Sequence, residues 1–320
     1  MSELKAIIPQ FFALPARDKE NLSFLNSSHF LGYSALGSET TASKTDLREQ
    51  FEFSNDLEDE CQDCLSFQRL RGPSQWPAPE ILPHFREILT TYHNEITALS
   101  YRFVRLVSEA LELPATAFDS LFRGNPQHRV KVVRYPPSRT GDQGVGPHKD
   151  SSGWWTFLLQ ADEQAGLEVL NHAGEWVSAP PLEGTFIVNI GQGFEVATGG
   201  RCPATTHRVL SPSNGKERYS VPFFQGIDLN VGAEDLRNLA KQARWEQTSW
   251  GASTVETPFA TGKYKWGENQ IRTKIRYNPT SVSALMLGVT RTSGKSFIRN
   301  CTKGMLFGMS NVYRMNLMTL

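Results

Sequence analysis

The pattern of apolar and polar positions divides the chain into a helical first part and a strand-rich second part. Between residues 78 and 113, apolar side chains recur every three or four positions. This spacing predicts one long amphipathic helix that begins after Pro79 and ends before Pro114. Its apolar positions are Leu82, Phe85, Leu89, Tyr92, Ile96, Leu99, Phe103 and Leu106. We therefore expect a helical N-terminal region over residues 1–125, which helps to cover a site in the second part.

From about residue 129 the period changes to that of β-strands. Turn residues separate eight short runs rich in strand-forming residues: VKVVRY, WWTFLLQ, GLEVL, GEWVSA, GTFIVNI, GFEVAT, THRVL and RYSVPFF. Because no helical pattern interrupts them, the protein is expected to be mainly β with helices, around a jelly-roll core (a cupin-like, double-stranded β-helix). We place this core at residues 126–232 and a C-terminal helical segment at residues 233–276.

The last segment, residues 277–320, differs from the rest of the chain. It contains no aspartate or glutamate, and every methionine except Met1 lies in it. It has no clear helical or strand period, and its glycines and charges argue against a membrane span. We expect an atypical, basic and loosely packed tail.

Composition narrows the classes of function. Lysine plus arginine equals aspartate plus glutamate at 33 each, so no net charge draws the chain to nucleic acid or to an anionic membrane. The first residues lack the features of a secretory signal, and the Cys61 and Cys64 pair has no second pair to complete a zinc site. We therefore expect a cytoplasmic monomer whose partner is a small molecule, with two ordinary thiols at Cys61 and Cys64.

The chemistry is expected at His148 and Asp150, which lie two positions apart just before the WWTFLLQ run. Side chains two apart in an extended segment point to the same side, so both can reach one metal ion. Of the other histidines, four lie in the N-terminal portion or at its junction with the core and His172 lies in a turn, which leaves His207 within the core. Two histidines and one carboxylate form the facial triad that leaves positions open on iron(II). The pattern alone is a weak signal, and the alternative is a polar turn before a strand.

A second polar pair follows His207. Alternation along RYSVPFF puts Arg218 and Ser220 on one face of the strand. A guanidinium beside a hydroxyl suits a carboxylate, although an isolated arginine is more often a surface cation.

Taken together, these residues resemble the iron(II)- and 2-oxoglutarate-dependent dioxygenases of the isopenicillin N synthase-like superfamily. The similarity runs from about residue 11 to 272. Its further matches, in the family's order, are Gly37-Ser-Glu39, Asp46-Leu-Arg48-Glu49, Arg134-Tyr135-Pro136-Pro137, Leu167-Glu168-Val169 and Asn189-Ile-Gly191.

The resemblance implies a role for each residue of the site. It implies that His148, Asp150 and His207 bind iron(II). It also implies that Arg218 and Ser220, with Tyr135, bind the distal carboxylate of 2-oxoglutarate. Phe224 matches an aromatic residue that often lines the family's substrate pocket. Alternation makes Trp154 a second pocket candidate, although both side chains could equally be core aromatics.

The implied activity is that of an oxidoreductase that uses O2 and converts 2-oxoglutarate to succinate and carbon dioxide, with ascorbate as a helpful reductant. The substrate would be a small natural product of fungal secondary metabolism, which is hydroxylated, desaturated or cyclised. One alternative stays open: an oxidase similar to isopenicillin N synthase, in which Arg218 and Ser220 bind a substrate carboxylate without 2-oxoglutarate. A second is an inactive ligand-binding remnant, because the start is short for the family and the residues after Trp266-Gly-Glu268 depart from it.

Overall fold

The computed structural model describes residues 1–57, 68–124, 126–150, 154–243 and 313–316. Its α-helices are α1 (Ser2–Phe12), α2 (Ala16–Glu20), α3 (Phe85–Ala110), α4 (Gln192–Ala197) and α5 (Ala233–Gln242). Its strands are β1 (Gly32–Ser34), β2 (Thr40–Thr41), β3 (Lys44–Thr45), β4 (Glu49–Ser54), β5 (Arg129–Tyr135), β6 (Gln143–His148), β7 (Trp155–Gln160), β8 (Leu167–Leu170), β9 (Trp176–Ser178), β10 (Thr185–Ile190), β11 (His207–Leu210), β12 (Arg218–Phe224) and β13 (Tyr313–Asn316).

Two antiparallel sheets pack face to face around the core. The larger sheet has the strand order β1-β4-β5-β12-β7-β10-β13, and the smaller has the order β6-β11-β8-β9. Apolar side chains from both sheets form one buried cluster: Val133, Tyr135, Val145, Leu158, Leu167, Val169, Ala179, Ile187 and Val209. This arrangement is the jelly roll that the sequence predicted, so the expected fold class is confirmed.

The opposite face of the larger sheet is covered by the N-terminal region. Phe103 of α3 packs edge-on against Trp155 and Phe157 of β7, with ring centroids 4.8 and 5.4 Å apart. Thr156 and Leu158, at the alternate positions, line a cavity between the two sheets. The period of two along β7 therefore separates a helix-facing core from a cavity-facing wall.

Helix α3 is confirmed but is shorter than predicted. It begins at Phe85 rather than directly after Pro79, and it ends at Ala110. Leu89 is buried as expected, whereas Leu106 is 45% exposed, so the predicted apolar stripe extends too far towards the C-terminus.

One predicted strand is wrong. The GFEVAT run forms helix α4, which follows the extended residue Gly191. Phe194, Glu195 and Val196 are all buried. When every side of a short segment is buried, the alternation of residue types no longer distinguishes a strand from a helix.

Strands β1, β4 and β6, which lie at the site, were not predicted. Strand β6 contains Gly144, Gly146 and Pro147, which have low strand propensity, and it is held by pairing with β11. Strands β1 and β4 lie in the region that was expected to be helical. They pair with each other, and β4 pairs with β5, so the larger sheet extends into the N-terminal region.

The C-terminal tail contributes strand β13, which pairs with β10 in the larger sheet. The sequence indicated no strand there. The edge of a sheet offers unpaired backbone N–H and C=O groups to any extended segment, whatever its side-chain pattern. The Cys61–Cys64 pair, residues 244–276 of the predicted helical segment and the other tail residues lie outside the described residues. Within the described part, no helix has both the length and the hydropathy needed to cross a membrane.

Candidate metal centre

The three predicted metal ligands come together where strands β6 and β11 pair. His148 is the last residue of β6, His207 is the first of β11, and the two are direct partners in the antiparallel register. Their imidazole centroids are 4.3 Å apart. Asp150 follows His148 by two positions and is buried. Strand pairing thus joins a ligand pair that is local in sequence to a histidine far along the chain.

The donor atoms of these side chains surround one small space. The Nε2 atoms of His148 and His207 lie 3.8 and 3.7 Å from Oδ1 of Asp150. All the candidate ligand atoms lie within 4.8 Å of one another, and this is the one such group of histidine, cysteine and carboxylate side chains found in the described part of the chain. The space between them is therefore the candidate metal site.

Hydrogen bonds orient each donor atom towards that space. Nδ1 of His148 lies 2.8 Å from the carbonyl oxygen of Gly146, and Nδ1 of His207 lies 3.1 Å from that of Thr205. A ring nitrogen beside a carbonyl donates its proton to it, so in the neutral form of the ring Nε2 keeps its lone pair for a metal. Burial, and then the neighbouring His207, lower the pKa of His148 to about 3, which keeps its imidazole neutral at pH 7.

The carboxylate is oriented in the same way. Oγ1 of Thr156 donates a hydrogen bond of 2.7 Å to Oδ2 of Asp150, so Oδ1 is left to face the two histidines. Two imidazole nitrogens and one carboxylate oxygen are the ligand set of non-haem iron(II) oxygenases. The residues present therefore fit iron(II).

A buried cation lies in the same cavity. Arg218 is fully buried, and its Nη2 donates to Oε1 of Gln160 at 3.0 Å. Its Nε and Nη1 have no hydrogen-bond partner among the residues described. Leaving the donors of a buried charge unpaired is costly, and a carboxylate matches the geometry of a guanidinium. The site thus fits an anionic ligand with a carboxylate at this end.

The other two residues predicted for this end are beside Arg218. Tyr135 is its direct partner across β5 and β12, and the guanidinium carbon lies 5.0 Å from the centre of the Tyr135 ring. Ser220 is two positions along β12 and lines the same cavity. All three of these side chains line the cavity together with the three candidate metal ligands.

The cavity encloses about 1350 Å³ of space, including the part open to solvent. Phe224, predicted for the substrate pocket, is one of its lining residues. Trp154 is not among the described residues that line this cavity. Its ring packs instead against Phe118 and Phe194, with centroids 5.4 and 5.0 Å away. The structure therefore places Trp154 in the aromatic core rather than at the cavity.

Sequence reasoning missed several residues of the site. Thr156 bonds to the Asp150 carboxylate, and Gln160 bonds to the Arg218 guanidinium. Lys131 lines the cavity. Strand alternation was the available signal. Thr156 and Gln160 are four positions apart on β7, so they share the face that points into the cavity. Lys131 and Tyr135 are four positions apart on β5, so they too share one face.

Comparisons with known proteins agree with this geometry. Residues 126–227 match the 2OG-Fe(II) oxygenase superfamily, and residues 1–79 match the family described as non-haem dioxygenase in morphine synthesis N-terminal. The chain is 44% identical over 281 residues to the 2-oxoglutarate-dependent dioxygenase frbJ of Dothideomycetidae sp. (strain 11243), which covers 84% of this chain and 75% of that protein. It is 30% identical to clavatol oxidase claD of Penicillium crustosum, over 77% of each chain.

Solved structures show the same similarity. A putative 2OG-Fe(II) oxygenase family protein from Caulobacter crescentus superposes with a TM-score of 0.65 at 25% identity, covering 85% of this chain and 84% of that one. The cavity carries a ligand set for iron(II) and a buried arginine for a carboxylate, and the sequence matches the family in both its N-terminal and core parts. The chain therefore belongs to the 2OG-Fe(II) oxygenase superfamily and is a 2-oxoglutarate-dependent dioxygenase.

Proposed function

We propose that this chain oxidises a small-molecule natural product and uses iron(II), O2 and 2-oxoglutarate to do so. The observation that carries the proposal is the buried Arg218 guanidinium, whose Nε and Nη1 are unpaired among the described residues in the same cavity as the His148, Asp150 and His207 side chains. A diacid that reaches from the metal to the guanidinium would satisfy both ends.

In this proposal His148, Asp150 and His207 hold the metal, and Arg218, Ser220 and Tyr135 hold the distal carboxylate of 2-oxoglutarate. Iron(II) bound there supplies the activation of O2 for oxidation of a C–H bond, coupled to the decarboxylation of 2-oxoglutarate to succinate.

The protein's own contribution is orientation. Gln160 bonds to one edge of Arg218 and the Tyr135 ring stacks on its face, which leaves the remaining donors to point at a ligand. Thr156 turns Asp150 so that one oxygen faces the metal. Apolar lining residues such as Leu158 and Phe224 provide a surface on which a hydrocarbon portion of the substrate can pack.

The relatives support this class of substrate. One relative is named 2-oxoglutarate-dependent dioxygenase frbJ, which gives the cosubstrate. Another is named clavatol oxidase claD, which gives a small molecule as the compound oxidised. We also propose that the protein works as a cytosolic monomer, which agrees with its balanced charge and its few cysteines. An oxidase that needs no 2-oxoglutarate is disfavoured, because the relatives with the higher identities carry 2-oxoglutarate in their names.

The test is oxygen uptake and succinate formation by the iron-loaded protein, with and without 2-oxoglutarate. Wild type is compared with Arg218→Ala and Arg218→Lys, and with the control Arg208→Met. Arg208 is an arginine of β11 that pairs with Glu168 and stacks on Trp176, so it is already satisfied by the protein.

Wild type should form succinate only when 2-oxoglutarate is present. Removing the cation that pairs with a buried carboxylate costs about 2–5 kcal/mol, so the apparent 2-oxoglutarate constant of Arg218→Ala should rise by roughly 30- to 5000-fold. Arg218→Lys should lose less, because lysine keeps the charge without the planar fork. Arg208→Met should behave as wild type. Equal oxygen uptake without 2-oxoglutarate, or an unchanged constant in Arg218→Ala, would contradict the proposal.

A further inference from the structure

The cavity extends from the Arg218 end along strand β5 towards the metal ligands. Tyr135, Val133 and Lys131 occupy alternate positions of that strand, and all three line the cavity. Tyr135 is paired with Arg218 and Val133 with Ser220, so both stand at the end assigned to 2-oxoglutarate. Lys131 stands one step further along the wall, about 6.6 Å from Val133 at the usual rise of a strand. This position is away from the Arg218 end, on the side of the metal ligands, and still inside the cavity.

The next inward-facing residue, Arg129, is committed to contacts within the protein. Its Nη1 donates to Oε1 of Glu52 at 2.9 Å. Its Nη2 donates to the carbonyl oxygens of His29 and Leu70 at 2.9 and 2.8 Å. Arg129 therefore ties the N-terminal loops to the sheet, and its charge is largely compensated.

Lys131 is held much more loosely. Its one ion-pair partner among the described residues is Glu52, with Nζ 3.8 Å from Oε2, and no hydrogen bond donated by its ammonium group is found in that part of the chain. A separation of 3.8 Å is too long for a hydrogen bond. The Glu52 carboxylate is meanwhile bonded to Arg129. The Lys131 side chain is only 17% exposed, so this cation is largely withdrawn from water and still has donors to offer.

The charges on this wall leave a positive excess. Arg129 and Lys131 supply two cations, and Glu52, which accepts a hydrogen bond from Arg129 and lies 3.8 Å from Lys131, supplies one anion. A cation that is mostly removed from water gains most from an anionic ligand that restores its lost hydrogen bonds.

We propose that Lys131 binds a carboxylate of the organic substrate, so that the preferred substrates of this oxygenase are small carboxylic acids, free amino acids included. This inference rests on the proposed function and names the class of substrate for the same site. The substrate's carboxylate pairs with Lys131, while its carbon skeleton packs on apolar lining residues such as Leu158 and Phe224. An esterified or amidated analogue has no charge to offer the ammonium group, and a purely cationic molecule is repelled by it.

The test uses a panel of amino acids and simple aliphatic and aryl carboxylic acids, each together with its methyl ester. Two quantities are measured on the iron- and 2-oxoglutarate-loaded protein. Calorimetry without O2 gives the dissociation constant of each compound, and succinate formation with O2 gives the rate above that seen with 2-oxoglutarate alone. The proteins are wild type, Lys131→Met, Lys131→Arg and the control Lys216→Met, in which an exposed lysine is changed.

In wild type, at least one acid of the panel should bind about tenfold or more tightly than its ester, as expected for a hydrogen bond to a charged group. Lys131→Met should reduce that preference to less than about threefold. Lys131→Arg should keep most of the preference, because it retains the charge, and Lys216→Met should retain all of it.

Two results would overturn the proposal: no acid binds more tightly than its ester in wild type, or Lys131→Met keeps the wild-type preference. Binding of 2-oxoglutarate to the iron-loaded protein without O2 separates this failure from failure of the proposed function, because that binding needs the metal site and Arg218 but no organic substrate. Its absence in wild type would contradict the proposed function. Its presence in wild type and in Lys131→Met, without any preference for acids, would contradict only the role of Lys131.

Discussion

Substitution of Thr156 by valine should weaken iron(II) binding, although none of the three ligands is changed. Oγ1 of Thr156 donates to Oδ2 of Asp150 at 2.7 Å, and Oδ1 of Asp150 is the oxygen that lies 3.8 and 3.7 Å from Nε2 of His148 and His207. The hydroxyl therefore holds the carboxylate with one oxygen directed at the metal. Valine has almost the same shape and suits a strand, so the change removes little besides the hydroxyl.

The size of the effect follows from the burial of both partners. Thr156 is 2% exposed and Asp150 is 6% exposed, so water cannot readily replace the lost donor. A hydrogen bond to a charged group contributes about 1.5–3 kcal/mol, which corresponds to roughly a 10- to 150-fold change in Kd. Loss of an outer partner of a metal ligand typically costs about 10- to 100-fold in metal affinity. We expect the Kd for iron(II) to rise within this range.

The assay is an anaerobic calorimetric titration of iron(II) into metal-free protein. Thr156→Ser keeps the hydroxyl and should bind iron(II) nearly as wild type does. Thr185→Val is a matched control, because Thr185 also lies in the larger sheet but its hydroxyl bonds to the carbonyl oxygen of Leu182. If Thr156→Val folds normally and binds iron(II) as tightly as Thr185→Val, the assigned role of the hydroxyl is refuted.

Two further predictions concern stability. Burial lowers the pKa of His128 from 6.5 to about 3, and its neutral ring accepts a hydrogen bond from the Gly226 N–H and contacts the Tyr101 hydroxyl. The unfolded chain takes up a proton below about pH 6.5 while the folded chain resists it. The contribution of His128 to the free energy of unfolding is thus complete above that pH. It is lost as the pH falls towards 3, by at most about 1.4 kcal/mol per pH unit. Urea unfolding at pH 7.5 and 5.0 should show a smaller loss in His128→Gln than in wild type, and equal losses would count against this assignment. Leu89→Ala, at a fully buried position of α3, should lower the free energy of unfolding by about 2–5 kcal/mol. The exposed control Leu106→Ala should change it little, and similar urea midpoints for both variants would contradict the packing described for α3.

The local geometry of the site could be predicted from the sequence. His148 and Asp150, and likewise Arg218 and Ser220, are two positions apart in extended segments, and an extended backbone places such side chains on one side. The same period of two predicted the jelly roll from its turn-bounded strands, because a strand with one face on the core must alternate. These inferences hold because they depend only on backbone geometry within a few residues.

The three-dimensional arrangement depended on contacts between distant parts of the chain. Strand β6 has a weak strand pattern, and only its pairing with β11 brings His148 opposite His207. The burial of both sides of the GFEVAT run made a helix resemble a strand. Trp154 turns into the aromatic core because Phe118 and Phe194 pack around it there.

The contacts of the residues that support the site also depend on tertiary structure. Thr156 bonds to Asp150 and Gln160 bonds to Arg218 only once the folded sheets bring these side chains together. Lys131 retains donors for a ligand because Glu52, its neighbour on β4, is bonded to Arg129 instead. A residue's period states which face it occupies, but its partners are set by register and packing, which arise only when the two sheets and the N-terminal strands assemble.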